Sequence, residues 1–327
     1  MHTLSRAEIR SLMARHDIRP AHGLGQNFLV DGNILRKIAG LLDLGGDDTV
    51  CEVGPGLGAL TRELAAAAGR VVAVEKDARI IPALEEALNE ARLFDMVNSD
   101  GGAASPDNGG ALPANGAASP DTGGALTSNG ATLPKHAGGN IEIVNADFLD
   151  YDLSAMPAGY KLTGNLPYYI TTPVMMKAVE SASMPSRMVF MMQKEVAERI
   201  CAASGSRDYG AVSVAVQYRC RTELAMKVPA EVFMPKPRVD SAVIVLEPAP
   251  GHRGVPKDED LFRKTVRAGF GQRRKMLRNA LSPLAPDAAA LGAAFERAGI
   301  EGTARAESLS VEQFISLSDA ISDIIEK

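Results

Sequence analysis

At 327 residues, with 46% hydrophobic and 23% charged side chains, the chain is long enough for one large domain plus a small one and ordinary enough to be soluble and globular. A formal net charge of −5 excludes a protein coated in basic residues, so any nucleic-acid surface must be local. Three cysteines, Cys51, Cys201 and Cys220, are odd in number and lack metal-ligand spacing, which fits packing residues in a reducing compartment and neither a disulfide framework nor a metal site.

The N-terminus mixes Arg6, Glu8, Arg10 and Arg15 into its apolar positions, so no export signal of the usual kind is expected. No later stretch approaches the roughly 18 apolar residues of a membrane span, and a cytoplasmic location follows as the expectation. Ser5-Arg6-Ala7-Glu8 has capping-box spacing, and Ile9, Leu12 and Met13 form an apolar face, which predicts a short helix over about residues 6 to 16. Next, Asp31 can cap a helix that carries Ile34, Leu35, Ile38, Leu41 and Leu42 on one face. The Gln26-Asn27 amides before it read equally as turn residues and as a polar lip for a small ligand.

Thr49-Val50-Cys51-Glu52-Val53 reads as a buried strand, followed by the turn Gly54-Pro55-Gly56-Leu57-Gly58 and a helix through Leu60 and Leu64. Val71 to Val74 is a second strand ending in Glu75, and Ile80 to Ala91 the next helix. Two strand–helix units in succession argue for a parallel sheet with a ligand at the carboxyl ends of its strands. Between 98 and 139 the pattern dissolves. Ala103 to Gly116 is repeated almost letter for letter as Ala117 to Gly130, too poor in apolar side chains to stack, and a disordered insertion is expected. The sheet resumes with Ile141 to Val144, ending near Asp147, and with Tyr160 to Gly164, which delivers Asn165-Leu166-Pro167-Tyr168-Tyr169. Beyond it come a helix over Thr171 to Ser181, a strand over Arg187 to Met192, a helix over Lys194 to Ala203 and two alternating or apolar runs between Tyr209 and Lys227. A proline-held loop, Val228 to Pro237, leads into a strand over Ser241 to Leu246. From about Pro256 the pattern is helical, with amphipathic segments near 258 to 282, 286 to 298 and 310 to 326. The domain boundary is expected within Pro248 to Pro256.

The glycine turn lets backbone approach a ligand at a helix N-terminus, but Pro55 removes an N–H that a pyrophosphate would need. A ligand with a ribose and no phosphates suits it better. Glu75 and Asp147, at the ends of two successive strands, can accept from ribose hydroxyls and from an adenine amino group; Asp147 reads also as a helix cap. Glu52, in a mostly apolar strand, needs a partner that a cationic ligand would supply. Asn165 offers a side-chain acceptor, Pro167 a rigid backbone and the tyrosines a stacking face, while the same five residues read equally as a β-turn followed by core aromatics.

Gly25-Gln26-Asn27-Phe28-Leu29, Glu52 to Gly58, Asn165-Leu166-Pro167-Tyr168, Val228-Pro229 with Phe233 to Ser241, and Phe270 to Lys275 follow one another as in the KsgA-type ribosomal RNA small subunit adenine dimethyltransferases. The chain resembles that family from about residue 9 to its end, the insertion excepted. The resemblance implies a Rossmann-like class I methyltransferase sheet over 1–250 and a small all-helical RNA-binding domain over 256–327. It implies S-adenosylmethionine as methyl donor, and as acceptors two adjacent adenosines in the 3′-terminal hairpin of small-subunit (16S) ribosomal RNA, dimethylated at N6 on the assembling 30S subunit by a monomer. Matched residue by residue, Asn27, Leu29, Gly54, Glu75, Asp147 and Asn165 would bind the cofactor, and Asn165, Leu166, Pro167 and Tyr168 would form the catalytic loop. The basic residue often found before Leu-Gly-Gln in that family is here His22-Gly23, and the insertion is not part of its usual pattern.

In that reading the Asn165 side-chain oxygen and the Leu166 carbonyl hold the exocyclic amine, Tyr168 stacks on the target base, and Phe233 either closes its other face or is core. Arg263, Lys264, Arg267, Arg273, Arg274, Lys275 and Arg278 fall in a stretch without an acid, which makes a local phosphate-binding patch the expectation. Rival readings are an adenine methyltransferase of large-subunit ribosomal RNA, a ribosome-assembly factor with secondary catalysis, and a dinucleotide oxidoreductase.

Overall fold

The computed structural model describes residues 4–18, 27–99, 140–167, 169–272 and 275–325, with the side chains of 91–99 left aside. The chain enters through α1 (Arg6–Arg15), where Ser5 and Glu8 close the capping box that their spacing predicts. After β1 (Phe28–Leu29) comes α2 (Gly32–Leu41), capped as predicted by Asp31, whose Oδ1 accepts from Asn33 N at 2.9 Å and Ile34 N at 3.2 Å. Then β2 (Thr49–Val53), α3 (Ala59–Ala67), β3 (Arg70–Glu75), α4 (Ile81–Ser99) and β4 (Ile141–Asn145) alternate. Helix α4 runs to Ser99, past the Ala91 end expected for it and past residue 98, where the insertion was expected to start. The rest of the expected insertion, residues 100–139 with the whole repeat, lies outside the described residues.

β5 (Lys161–Asn165), α5 (Thr171–Glu180), β6 (Arg187–Gln193) and α6 (Lys194–Ile200) continue the pattern. The runs between Tyr209 and Lys227 resolve as one helix, α7 (Ala211–Arg219), and one strand, β7 (Cys220–Val228), followed by β8 (Phe233–Met234) and β9 (Ser241–Pro248). Seven strands form one sheet in the order β4-β3-β2-β5-β6-β9-β7, parallel from β4 to β6 and antiparallel where β9 pairs with β6 and β7. β2 sits mid-sheet, covered on both faces. Val50, Cys51, Glu52 and Val53 are all buried, which is why the run reads as continuous rather than alternating.

β1 and β8 form a separate antiparallel pair, Leu29 opposite Phe233, that staples the N-terminal segment to the 228–237 loop. Nothing in two-residue strands announces this, because both partners draw their stability from contacts far apart in sequence. The helical end is α8 (Glu259–Gly271), α9 (Leu277–Leu281), α10 (Ala288–Arg297) and α11 (Val311–Ile325). The segment expected near 258 to 282 thus breaks after Gly271. A cluster built on Phe262, Leu277, Phe295 and Phe314 holds these helices together, and Tyr209 and Val214 join it from the preceding unit.

Candidate active site

A cavity of about 320 Å³ opens at the carboxyl ends of β2, β3, β4 and β5. Asn27, Leu29, Gly54, Glu75, Asp147 and Asn165 all line it. Parallel register explains the gathering: Val53 pairs with Val74 and with Gly164, and Glu75 with Asn145, so the residues that follow these strands emerge side by side.

The glycine turn forms one wall. Gly54 has φ 67° and Gly58 φ 79°, a left-handed backbone that favours glycine. A Cβ built on Gly54 would meet nothing within 4 Å, so the turn is open at Gly54, whereas at Gly58 it would meet Leu84 Cδ1 at 2.7 Å. Glu75 crosses beneath it: Oε2 accepts from Gly56 N at 3.3 Å and Oε1 from Asp77 N at 2.8 Å. Burial pushes its carboxyl above the ordinary range, partly opposed by those two backbone donors.

Glu52 is 2% exposed, and its Oε2 has no hydrogen-bond partner. Burial pushes its pKa up to about 7, a shift that the nearby Thr61 hydroxyl reduces and the Glu75 carboxylate adds to. A buried acceptor facing a cavity without a partner is the feature a cationic ligand satisfies. Asp147, by contrast, is held below the ordinary range, first by the Lys76 ammonium at 2.6 Å and then by the Leu149 N–H at 2.9 Å.

Asn165 ends β5 with its Nδ2 donating to the Asn27 carbonyl at 3.0 Å. Turning the amide over would set two acceptors face to face, so this bond directs Oδ1 away from Asn27. Pro167 lines the cavity beside it, and the Pro167 carbonyl accepts from Ile170 N at 3.1 Å and Thr171 Oγ1 at 3.0 Å, which locks the loop onto α5. The Leu166 side chain is 1% exposed and packs into the sheet core, and its N–H donates to the Met191 carbonyl at 2.9 Å, so Leu166 does not itself line the cavity. Tyr168 lies outside the described residues.

Three features correct or extend the reading from sequence. Phe233 is 2% exposed among Leu29, Val228 and Val243 and does not line the cavity, so it is core here. Within the basic stretch, Arg263 pairs with Glu180 and Glu259 at 2.8 Å each, and Arg278 donates to the Ala288 carbonyl at 3.0 Å. Lys264, Arg267 and Lys275 are exposed without an ion pair among the described residues, and Arg273 and Arg274 lie outside them. The sequence reading missed Ile9 and Lys76 on the cavity wall, while Tyr169, read there as one of two stacking tyrosines, lines it too. Tyr169 is 50% exposed, a signal that its place in an aromatic pair hinted at. Ile9 gave none, since its helix lies far away along the chain.

A parallel sheet with an open glycine cradle, acids at the next two strand ends and an Asn-Leu-Pro loop defines a Rossmann-like methyltransferase. The structure is similar to that of the 23S rRNA methyltransferase ErmE, with TM-score 0.60 and 25% identity over 90% of this chain and 100% of that one. A dimethyladenosine transferase from Plasmodium falciparum shares the fold, with TM-score 0.66 at 21% identity over 89% of this chain and 95% of that one. The model of the family described as ribosomal RNA adenine dimethylase matches residues 19–108 and 130–323. The ribosomal RNA small subunit methyltransferase A of Lactiplantibacillus plantarum is 39% identical over 96% of this chain and 94% of its own length. That of Pelotomaculum thermopropionicum is 38% identical over 98% and 97%. The chain belongs to the ribosomal RNA adenine dimethylase family.

Proposed function

We propose that this protein, an S-adenosylmethionine-dependent adenine dimethylase of small-subunit ribosomal RNA, methylates N6 of two adjacent adenosines in the 3′-terminal hairpin while the 30S subunit assembles, acting as a cytoplasmic monomer. The observation that carries the reading is the fixed amide of Asn165, an acceptor held at the mouth of a cavity lined by acids at two strand ends.

The cofactor fits the residues present: the cradle at Gly54 is open, and Glu52 offers buried negative charge with no partner. When bound, S-adenosylmethionine supplies a methyl group already activated by a positive sulfonium. Gly54 approaches its methionine part, Glu75 takes the ribose hydroxyls and Asp147 the adenine amino group. Asn27 and Leu29 close the site from the N-terminal side, with Ile9 behind them.

The N6 lone pair of adenine is delocalised into its ring, so the amine attacks poorly until its hydrogens are held out of plane. Asn165 Oδ1 and the Leu166 carbonyl accept those hydrogens, and Pro167 keeps the two acceptors in fixed relation. Positioning and electrostatics then carry most of the catalysis, and no strong general base is needed. Tyr168 stacks on the target base, and Tyr169, exposed at the rim, is placed to support it; such stacking is worth roughly 1–3 kcal/mol per base. The helices of 256–327 bring Lys264, Arg267 and Lys275 to the phosphates.

The test is to incubate purified protein with methyl-labelled S-adenosylmethionine and immature small subunits and to map the product by mass spectrometry. Two adjacent N6,N6-dimethyladenosines near the RNA 3′ end are expected. Label confined to large-subunit RNA would support the other ribosomal reading instead, and absence of label from any ribosomal RNA would overturn both.

A further inference from the structure

At the cavity rim the two oxygens of Asp147 are both engaged. Oδ2 takes the Lys76 Nζ at 2.6 Å and Oδ1 the Leu149 N–H at 2.9 Å. The frame between the two residues is tied as well: the Ala146 N–H donates to the Glu75 carbonyl at 3.0 Å, and Asn145 Nδ2 to the same carbonyl at 2.9 Å. Lys177, the other cation near Asp147, is committed to the Leu149 carbonyl at 2.6 Å, and Asp150 and Tyr169 are the remaining titratable groups near Lys76.

An ionised carboxylate is acceptor-only. Each oxygen keeps a lone pair for an N–H on a purine edge, while a carbonyl at the same place is repelled. A carboxyl that turns freely or takes up a proton tolerates both. We propose that Lys76 is a positioning residue which, by clamping Asp147, makes the site select a 6-amino purine over a 6-oxo purine in its cofactor. This rests on the reading that Asp147 meets the adenine of S-adenosylmethionine. Lys76 needs no contact with the ligand for this role; it acts through its bond to Asp147.

The experiment is calorimetric titration of the full chain with S-adenosylhomocysteine and with its 6-oxo counterpart, S-inosylhomocysteine, for wild type, Lys76→Met and Lys76→Arg. Wild type is expected to bind the amino ligand at least about tenfold tighter, since the 6-oxo ligand sets its carbonyl oxygen against the acceptor-only Asp147 carboxylate and forfeits the N–H bond that the amino ligand makes there. K76M keeps the aliphatic stem; because a partly exposed ion pair is weak, it should lose about three- to fivefold for the amino ligand only. The selectivity ratio should fall accordingly, the difference from wild type should shrink at high salt, and K76R should restore the ratio. Equal losses for both ligands, or no loss, would overturn the role of Lys76 while leaving the cofactor reading intact. Wild type that binds neither ligand would overturn the cofactor reading and this proposal with it.

Discussion

Asn165 Nδ2 donates to the Asn27 carbonyl at 3.0 Å, joining the end of β5 to the segment before β1 across 138 positions of sequence. The bond sets which way the amide points, so it should matter for chemistry more than for folding. Asn165→Ala and Asn165→Asp are expected to lower kcat on immature small subunits by about 10²-fold or more, the size of losing a preorganised donor or acceptor at a reaction centre. In the aspartate variant a carboxylate faces the Asn27 carbonyl and is repelled by it. Single-turnover methylation reads the effect. A variant within tenfold of wild type would remove Asn165 from the centre.

Glu52 is expected to link cofactor binding and stability to pH. Its folded pKa of about 7 lies above the unfolded glutamate value, so the native state binds the proton more tightly and stability falls as pH rises from about 4 to 7. Glu52→Gln should flatten that part of the melting-temperature profile and stabilise the ligand-free protein at pH 8 by on the order of 2 kcal/mol. Affinity for the cationic cofactor should show the opposite trend, rising over the same window in wild type and staying level in the variant. Parallel pH series of thermal melts and titrations test both signs.

Gly164 marks a close approach of β5 to β2. An added Cβ would lie 2.7 Å from the Val53 carbonyl oxygen and 3.1 Å from Leu166 Cδ2. Both neighbours belong to packed backbone or core, so relief requires the strands to part. Gly164→Ala is expected to destabilise by about 2–4 kcal/mol and to lower activity, since β2 carries Glu52 and β5 leads to Asn165. Denaturant melts would show it as a shifted midpoint with an unchanged slope.

The basic helices separate into structural and solvent-facing cations. Lys264→Ala, Arg267→Ala and Lys275→Ala should each weaken RNA binding across sequences and reduce the salt slope by about one, with melting unchanged. Arg278→Ala should instead loosen the α9–α10 junction, where its guanidinium holds the Ala288 carbonyl. Binding measured at several salt concentrations, alongside melting curves, distinguishes the two kinds of residue.

Much was legible locally. The capping box at Ser5, the cap at Asp31, the buried strand around Cys51, the glycine turn and the acid at the end of β3 each depend on residues close in sequence, and the alternation of strands and helices specified the parallel part of the sheet. Where local signals conflict, the chain misled. Val212, Val214 and Val216 alternate as a strand would, yet α7 forms because Val214 packs toward the C-terminal helices while Val216 joins the sheet core. Phe233 sits in a loop rich in prolines and looked available for a base, but pairing of β8 with β1 turns it into the core.

The sequence by itself determined the family, the sheet and the types of group that a cofactor and an adenine require, since these follow from spacing and side-chain chemistry. Only the tertiary structure decided how those groups are held. Parallel register brings Glu75, Asp147 and Asn165 to one rim. Packing of α1 adds Ile9, and a bond across the fold orients the Asn165 amide. Burial raises Glu52, while an ammonium from the neighbouring strand end clamps Asp147. Orientation, desolvation and charge pairing are properties of through-space neighbours, and residues 138 positions apart become neighbours only when the chain has folded.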